Sequence, residues 1–244
     1  MAVVDVFANP LFIPLLAASL TVVGNAVFLF MVRKWEYRSQ YIISNVKETY
    51  IPLLSEIHTK KETFENFLER PDMLRTDFVE LERIRKSGLF EFMMAHDKRL
   101  YEKIALFSNQ ICPRFRELSK LNAETRRHIY EDWKTYITQF SIDAHDAGVI
   151  ANWILDHGVY RDLLNERKLN LSEKLFEAKF DMFENGLHPK GPFGYPNQCD
   201  ELLRLSAPHI QKLRLYYIDT AKLIEIEVTN GLIPLMQKYI RHPI

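Results

Sequence analysis

The sequence predicts an all-α protein: a single N-terminal transmembrane helix over residues 11–33, then a cytoplasmic multi-helix bundle over residues 34–244. Three observations carry this. An almost unbroken apolar run, Leu11 to Val32, is followed by Arg33, Lys34 and Arg38. Beyond it, apolar residues recur at three- and four-residue steps, the period of an amphipathic helix. Period-two alternation stands out only from Lys222 to Thr229, where a strand would have no second strand to pair with.

The apolar run is long enough to cross a bilayer. About 22 helical residues rise roughly 33 Å, against a hydrocarbon core of about 30 Å. A cleaved signal peptide would carry positive charge ahead of a shorter run, whereas Asp5 is the only charged side chain before this one. Buried core helices are shorter and broken by polar groups. Basic residues beside a span favour the cytoplasmic face. Residues 1–10 are therefore expected outside as a short tail, and residues 34–244 in the cytoplasm. Arg33, Lys34, Trp35, Tyr37 and Arg38 suit the inner headgroup region.

One face of the run differs from the rest. Ala17, Thr21, Gly24, Asn25 and Phe28 fall on one face, linked by three- and four-residue steps (17–21–24–28 and 21–25–28). Small residues let helices approach closely in lipid, and the Asn25 amide offers an interhelical hydrogen bond. The expected partners are the lipid bilayer and a second membrane helix, from another membrane protein or from a copy of this chain.

The stripe continues through Tyr37, Tyr41, Val46 and Thr49, and Pro52 is expected to kink or end that helix. Thr59 is read as the cap of a helix carrying Phe64, Phe67 and Leu68. Leu74, Phe78, Leu81 and Ile84 form the next helical stripe, stopped by Gly88. One helix is predicted from Leu89 to Ile111, interrupted at Pro113 and resumed by Phe115, Leu118 and Leu121. Asn122 reads as an N-cap ahead of Ile129, Trp133 and Ile137. Ala147-Gly148 reads as a bend and Gly158 as a stop. Asn170 with Glu173 resembles a capping box. Residues 186–198 hold three glycines and three prolines and read as one long loop packed on the bundle. The last stretch, from Leu202 to Ile224, reads as one helix or two joined near Pro208.

Composition limits the chemistry. The 32 basic and 32 acidic side chains cancel, so no basic excess exists to neutralise nucleic-acid phosphates. No nucleic-acid partner is expected. Cys112 and Cys199 stand far apart in the sequence and read as two free thiols in a reducing compartment. Glycine-rich phosphate loops and the nucleophile elbow of serine hydrolases are missing, and no cofactor is expected.

Two polar groups are candidates for metal chemistry. Glu124, His128 and Glu131 share a helix face among other charged residues. His145-Asp146 and Asp156-His157 flank a segment whose bend would bring them together, and imidazole with carboxylate binds divalent cations. The functional expectation is a membrane-anchored helical protein acting through protein–protein contacts, as scaffold, regulator or accessory subunit of a membrane complex. The alternative is a membrane-bound metal-dependent enzyme using His145, Asp146, Asp156 and His157.

Overall fold

Most of the described residues are helical, as the apolar periodicity predicts. A computed structural model describes residues 12–167, 171–174 and 196–241; within its helices the side chains of 12–18, 37–39, 41–43, 45–46, 92, 95–96 and 196–197 are not described. In chain order the helices are α1 (Phe12–Asn45), α2 (Ile51–Glu65), α3 (Val79–Lys86), α4 (Leu89–His96), α5 (Lys98–Leu106), α6 (Cys112–Thr138), α7 (Ala144–Ile154), α8 (Tyr160–Leu164), α9 (Pro196–Ile224) and α10 (Ile233–Arg241). Wider π turns join several of them, at Val46–Tyr50, Phe107–Ile111, Leu155–Val159 and Glu225–Leu232. Among the described residues there is no strand, so the alternating stretch after Lys222 is helical.

Two compact units divide the chain: Met1–Pro52 with Lys238–Ile244, and Leu53–Gln237. The first contains α1. Among the described residues no helix is long and apolar enough to cross a membrane. The described side chains of α1 begin at Ser19, and the apolar run starts upstream of them, at Leu11.

The second unit is a helical bundle centred on α6, which packs against α7 and α9. The buried face of α6 is the one its periodicity marks: Phe115, Leu118, Leu121, Ile129, Trp133 and Ile137. An aromatic cluster ties four segments to it. Tyr217 of α9 stacks on Phe64 and Phe67, with ring centroids 4.8 and 5.7 Å apart. Phe78 meets Phe107 and Phe115 edge-on, each at 5.7 Å. Edge-on and offset pairs suit the ring quadrupole, which disfavours face-to-face sandwiches.

Several local expectations are corrected. Leu74 and Phe78 are buried, but α3 begins only at Val79. Both side chains reach the core from non-helical backbone. Buried Lys60 of α2 helps fix that segment: its Nζ donates to Asp77 at 2.8 Å and lies 5.1 Å from the centre of the Phe78 ring. The same hydrogen bond holds the Asp77 carboxyl below its ordinary range. The helix predicted from Leu89 to Ile111 breaks at Asp97 (φ −147°), whose carboxylate accepts from Leu100 N at 3.0 Å and caps α5. Pro113 does not interrupt: it stands at the second position of α6, where a missing N–H costs little. Pro52 likewise sits near the start of α2, and Pro208 lies inside the single helix α9.

Thr59 and Asn122 cap nothing. Thr59 lies within α2 and its hydroxyl donates to Ser55 O at 3.0 Å. Asn122 lies inside α6, buried, and its Oδ1 accepts from the Tyr160 hydroxyl at 2.7 Å. Gly88 (φ +71°) and Gly158 (φ +90°) do break the helix where expected, in a backbone region costly for residues with a Cβ. Gly148 serves another purpose. It is buried within α7, and a Cβ there would stand 2.8 Å from the Tyr130 hydroxyl, so glycine allows α7 to lie close on α6. The Asn170 capping-box side chain and residues 186–195 of the proposed loop lie outside the described residues; residues 196–198 form the first turn of α9.

Sequence reasoning missed the cap of α3. Phe78 offers no capping oxygen, and Glu56, reaching over from α2, accepts from Glu80 N and Leu81 N at 3.1 Å each. These are among the orphan donors that every helix start leaves. Glu56→Ala is expected to destabilise the second unit by about 1 kcal/mol, the usual cost of losing a cap. Urea unfolding checks this; an unshifted midpoint would mean that water replaces the carboxylate at no cost.

Candidate functional site

On α1 the predicted contact face is open. Thr21, Gly24, Asn25 and Phe28 are exposed, and a Cβ on Gly24 would meet nothing within 4 Å. At Gly24 there is thus room for close approach, which small residues permit between helices. Ala17 lies outside the described side chains, as do Tyr37 and Arg38; Arg33, Lys34 and Trp35 are exposed.

The second candidate does not assemble across a bend, because none exists at Ala147-Gly148. Helix α7 runs unbroken from Ala144 to Ile154. His145 and Asp146 lie in its first turn, and Asp156 and His157 follow its last. At 1.5 Å per residue the two pairs stand about 16 Å apart along the axis. The side chains of Asp156 and His157 also have local partners, and the backbone of His145 and Asp146 serves a cap. Asp143 caps α7, its Oδ1 accepting from His145 N at 2.8 Å and Asp146 N at 2.9 Å. Those backbone donors, Asp146 N foremost, hold the Asp143 carboxyl below its ordinary range. Asp156 pairs with Arg126 and accepts from Asn152 Nδ2 at 2.8 Å. The His157 ring stacks on Trp153, with centroids 4.5 Å apart, and its Nδ1 lies 2.7 Å from Trp153 O. Among the described residues no group of three or more His, Cys, Asp or Glu is placed to hold a metal ion.

A polar junction between α6 and α9 went unpredicted. His209 Nε2 lies 2.9 Å from Asp132 Oδ2, and its ring stacks on that of His128 at 5.3 Å. His128 and Asp132 are one turn apart on α6, which the sequence displays; their partner lies 77 residues beyond Asp132, which it does not. Glu124 and Glu131 share α6 with them, and the His96 side chain is outside the description.

Reactive groups are held in inert settings. Neither cysteine is in a disulfide, and both are buried. Burial pushes the Cys112 thiol up to about 12, which leaves almost no thiolate to act as nucleophile near neutral pH. Buried Ser206 donates to Leu202 O at 2.8 Å and has no imidazole as its partner. Among the described residues two surface grooves stand out. One, of about 570 Å³, is floored by Leu163, Leu203, Ile210 and Ile218, and its Arg167 and Arg214 are already paired with carboxylates. The other, of about 1020 Å³, mixes Arg70, Arg75 and Arg161 with Glu62, Glu69 and Asp72. Comparison with protein-family models, with curated proteins and with solved structures gives no match to this chain.

Proposed function

We propose that this is a single-pass membrane protein, anchored through residues 11–33, with residues 1–10 outside and residues 34–244 in the cytoplasm. Its helical domain works through protein–protein contacts, as scaffold, regulator or accessory subunit of a membrane complex. One observation carries the reading. Every described side chain of α1 from Ser19 to Met31 is exposed, and the large apolar ones cover the circumference apart from the arc that holds Thr21 and Asn25: Leu20, Val22, Val23, Val27, Phe28, Leu29, Phe30 and Met31. A helix apolar on nearly all sides belongs in a core or in lipid. Removing these eight side chains from water is worth roughly 12–24 kcal/mol at 1.5–3 kcal/mol each. That far exceeds the few kcal/mol that one buried amide, Asn25, costs without a partner. The exposed Arg33 and Lys34 at the end of the run support the direction.

The open Gly24–Asn25 face supports contact with another membrane helix. Leucine at both positions is expected to abolish or strongly weaken association in mild detergent, read as a fall in particle mass by light scattering. The parent protein is expected to remain with the membrane pellet after alkaline carbonate washing. Release into the supernatant would remove the anchor. A parent protein that is strictly monomeric and carries no partner would remove the contact function.

A further inference from the structure

Among the described residues, one short surface helix of the second unit exposes apolar side chains with few charges beside them. Helix α4, Leu89–His96, has a single charged side chain, Glu91. Glu91 belongs to its first turn and folds back, its Oε2 standing 3.7 Å from where a Gly88 Cβ would be. A carboxylate there suits the positive end of the helix. Met93 is buried in the core, but Met94 on the other side is 53% exposed. Leu89 and Phe90 are half-exposed, with Phe90 braced edge-on against Tyr101 at 5.2 Å. By contrast, the neighbouring α3 carries five charged residues in eight.

Cations flank this apolar tip in sequence on both sides. Arg85 and Lys86 end α3, Lys98 and Arg99 open α5, and all four are exposed. Lys98 only approaches Glu102, at 3.9 Å. Among the described residues Arg85, Lys86 and Arg99 form no ion pair. Exposed thioether, aliphatic and aromatic side chains on a helix whose packed neighbours carry exposed cations match the boundary of an anionic bilayer, where apolar groups enter the acyl edge and cations meet lipid headgroups.

We infer that the α3–α4–α5 segment, with Leu89, Phe90 and Met94 as its apolar part and Arg85, Lys86 and Arg99 on the adjoining helices, is a second membrane contact that docks on anionic lipid. The inference rests on the anchored reading above. A domain tethered to a bilayer meets it at high effective concentration, so a patch too weak to bind alone suffices. Each surface cation raises partitioning roughly five-fold near an anionic leaflet.

The test uses the full chain reconstituted into vesicles of phosphatidylcholine, with or without phosphatidylglycerol. A thiol fluorophore is placed at Met94→Cys, the native cysteines being buried, and a second preparation carries it at Val27→Cys. Lipid-borne nitroxide is expected to quench the Met94 label several-fold more in anionic than in neutral vesicles. High salt and the exposed-site variant Arg85→Glu/Lys86→Glu are each expected to remove that excess. A Met94 label equally open to aqueous iodide in both vesicles overturns the docking, as does shielding that follows protein concentration in neutral vesicles, the mark of a protein partner or second copy. The Val27 label separates the two claims. Quenching there without quenching at Met94 keeps the anchor and removes the docking; quenching at Met94 in anionic vesicles alone, with none at Val27, keeps the docking and removes the anchor.

Discussion

Trp133→Ala is expected to destabilise the second unit by about 3–5 kcal/mol, the range for deleting a large buried aromatic side chain. Trp133 has no exposed surface and is the largest of the fully buried residues. It also joins the bundle's central helix to α9. Its Nε1 hydrogen donates to Leu202 O at 3.0 Å and Ser206 Oγ at 2.9 Å. Truncation therefore opens a cavity and takes a donor from two buried acceptors at once. In a domain of this size such a loss is worth a fall of about 10 °C in Tm. Trp133→Phe separates the contributions. It keeps most of the packing and removes the donor, for an expected cost of about 1–2 kcal/mol. Calorimetry on both variants decides the matter. If alanine and phenylalanine cost the same, the hydrogen bonds outweigh the packing; if neither shifts Tm, the packing of α6 on α9 is not what holds the unit together.

Alkaline pH is expected to unfold the protein well before its lysines deprotonate fully. Burial raises the Cys112 thiol from 9.0 to about 12. The same cause raises the buried Tyr160 phenol above its ordinary 10.0, and its hydroxyl donates to Asn122, an arrangement that needs the proton. Tyr217 is raised by burial as well. In each case the folded state holds the proton more tightly than the unfolded chain does. The stability these groups contribute is complete below the unfolded value, near pH 9 for the thiol and pH 10 for the phenols. It is lost as pH rises through the folded values. At about 1.4 kcal/mol per unit, the thiol alone accounts for about 4 kcal/mol between pH 9 and about 12. Denaturant midpoints measured across that window are expected to fall steeply, and Tyr160→Phe is expected to flatten the fall above pH 10. A midpoint level from neutrality to beyond pH 11 contradicts the burial of these groups.

Core positions were legible wherever apolar spacing stayed regular. Phe115 through Ile137 on α6 and Leu202, Ile210, Leu213 and Ile224 on α9 are buried as their period requires. Spacing misled at Leu74 and Phe78, because a four-residue interval between apolar residues marks burial without fixing helix. Polar residues misled more often. Asn and Thr are read as caps because their side chains compete for nearby backbone groups. Buried Asn122 instead meets Tyr160, 38 residues away, and Thr59 satisfies itself within its own helix. The candidate sites followed the same division. The face of α1 around Gly24 follows from helical spacing, and its role in helix contact is a proposal, since the described side chains from Ser19 to Met31 are exposed on every side. His145-Asp146 and Asp156-His157 depended on a bend at Gly148, and that glycine turned out to make room for Tyr130.

Local periodicity alone was enough to establish that the chain is helical and which residues of α6 and α9 turn inward, since both follow from hydrogen bonds and spacing within a few residues. Only the tertiary structure decided how polar groups are satisfied: Glu56 capping α3 from 24 residues upstream of Glu80, Trp133 bonded to α9 69 residues ahead at Leu202, and His209 set against Asp132. A buried donor or acceptor must find a partner somewhere, but packing chooses which distant residue is near enough to serve, and nothing local in the chain records that choice.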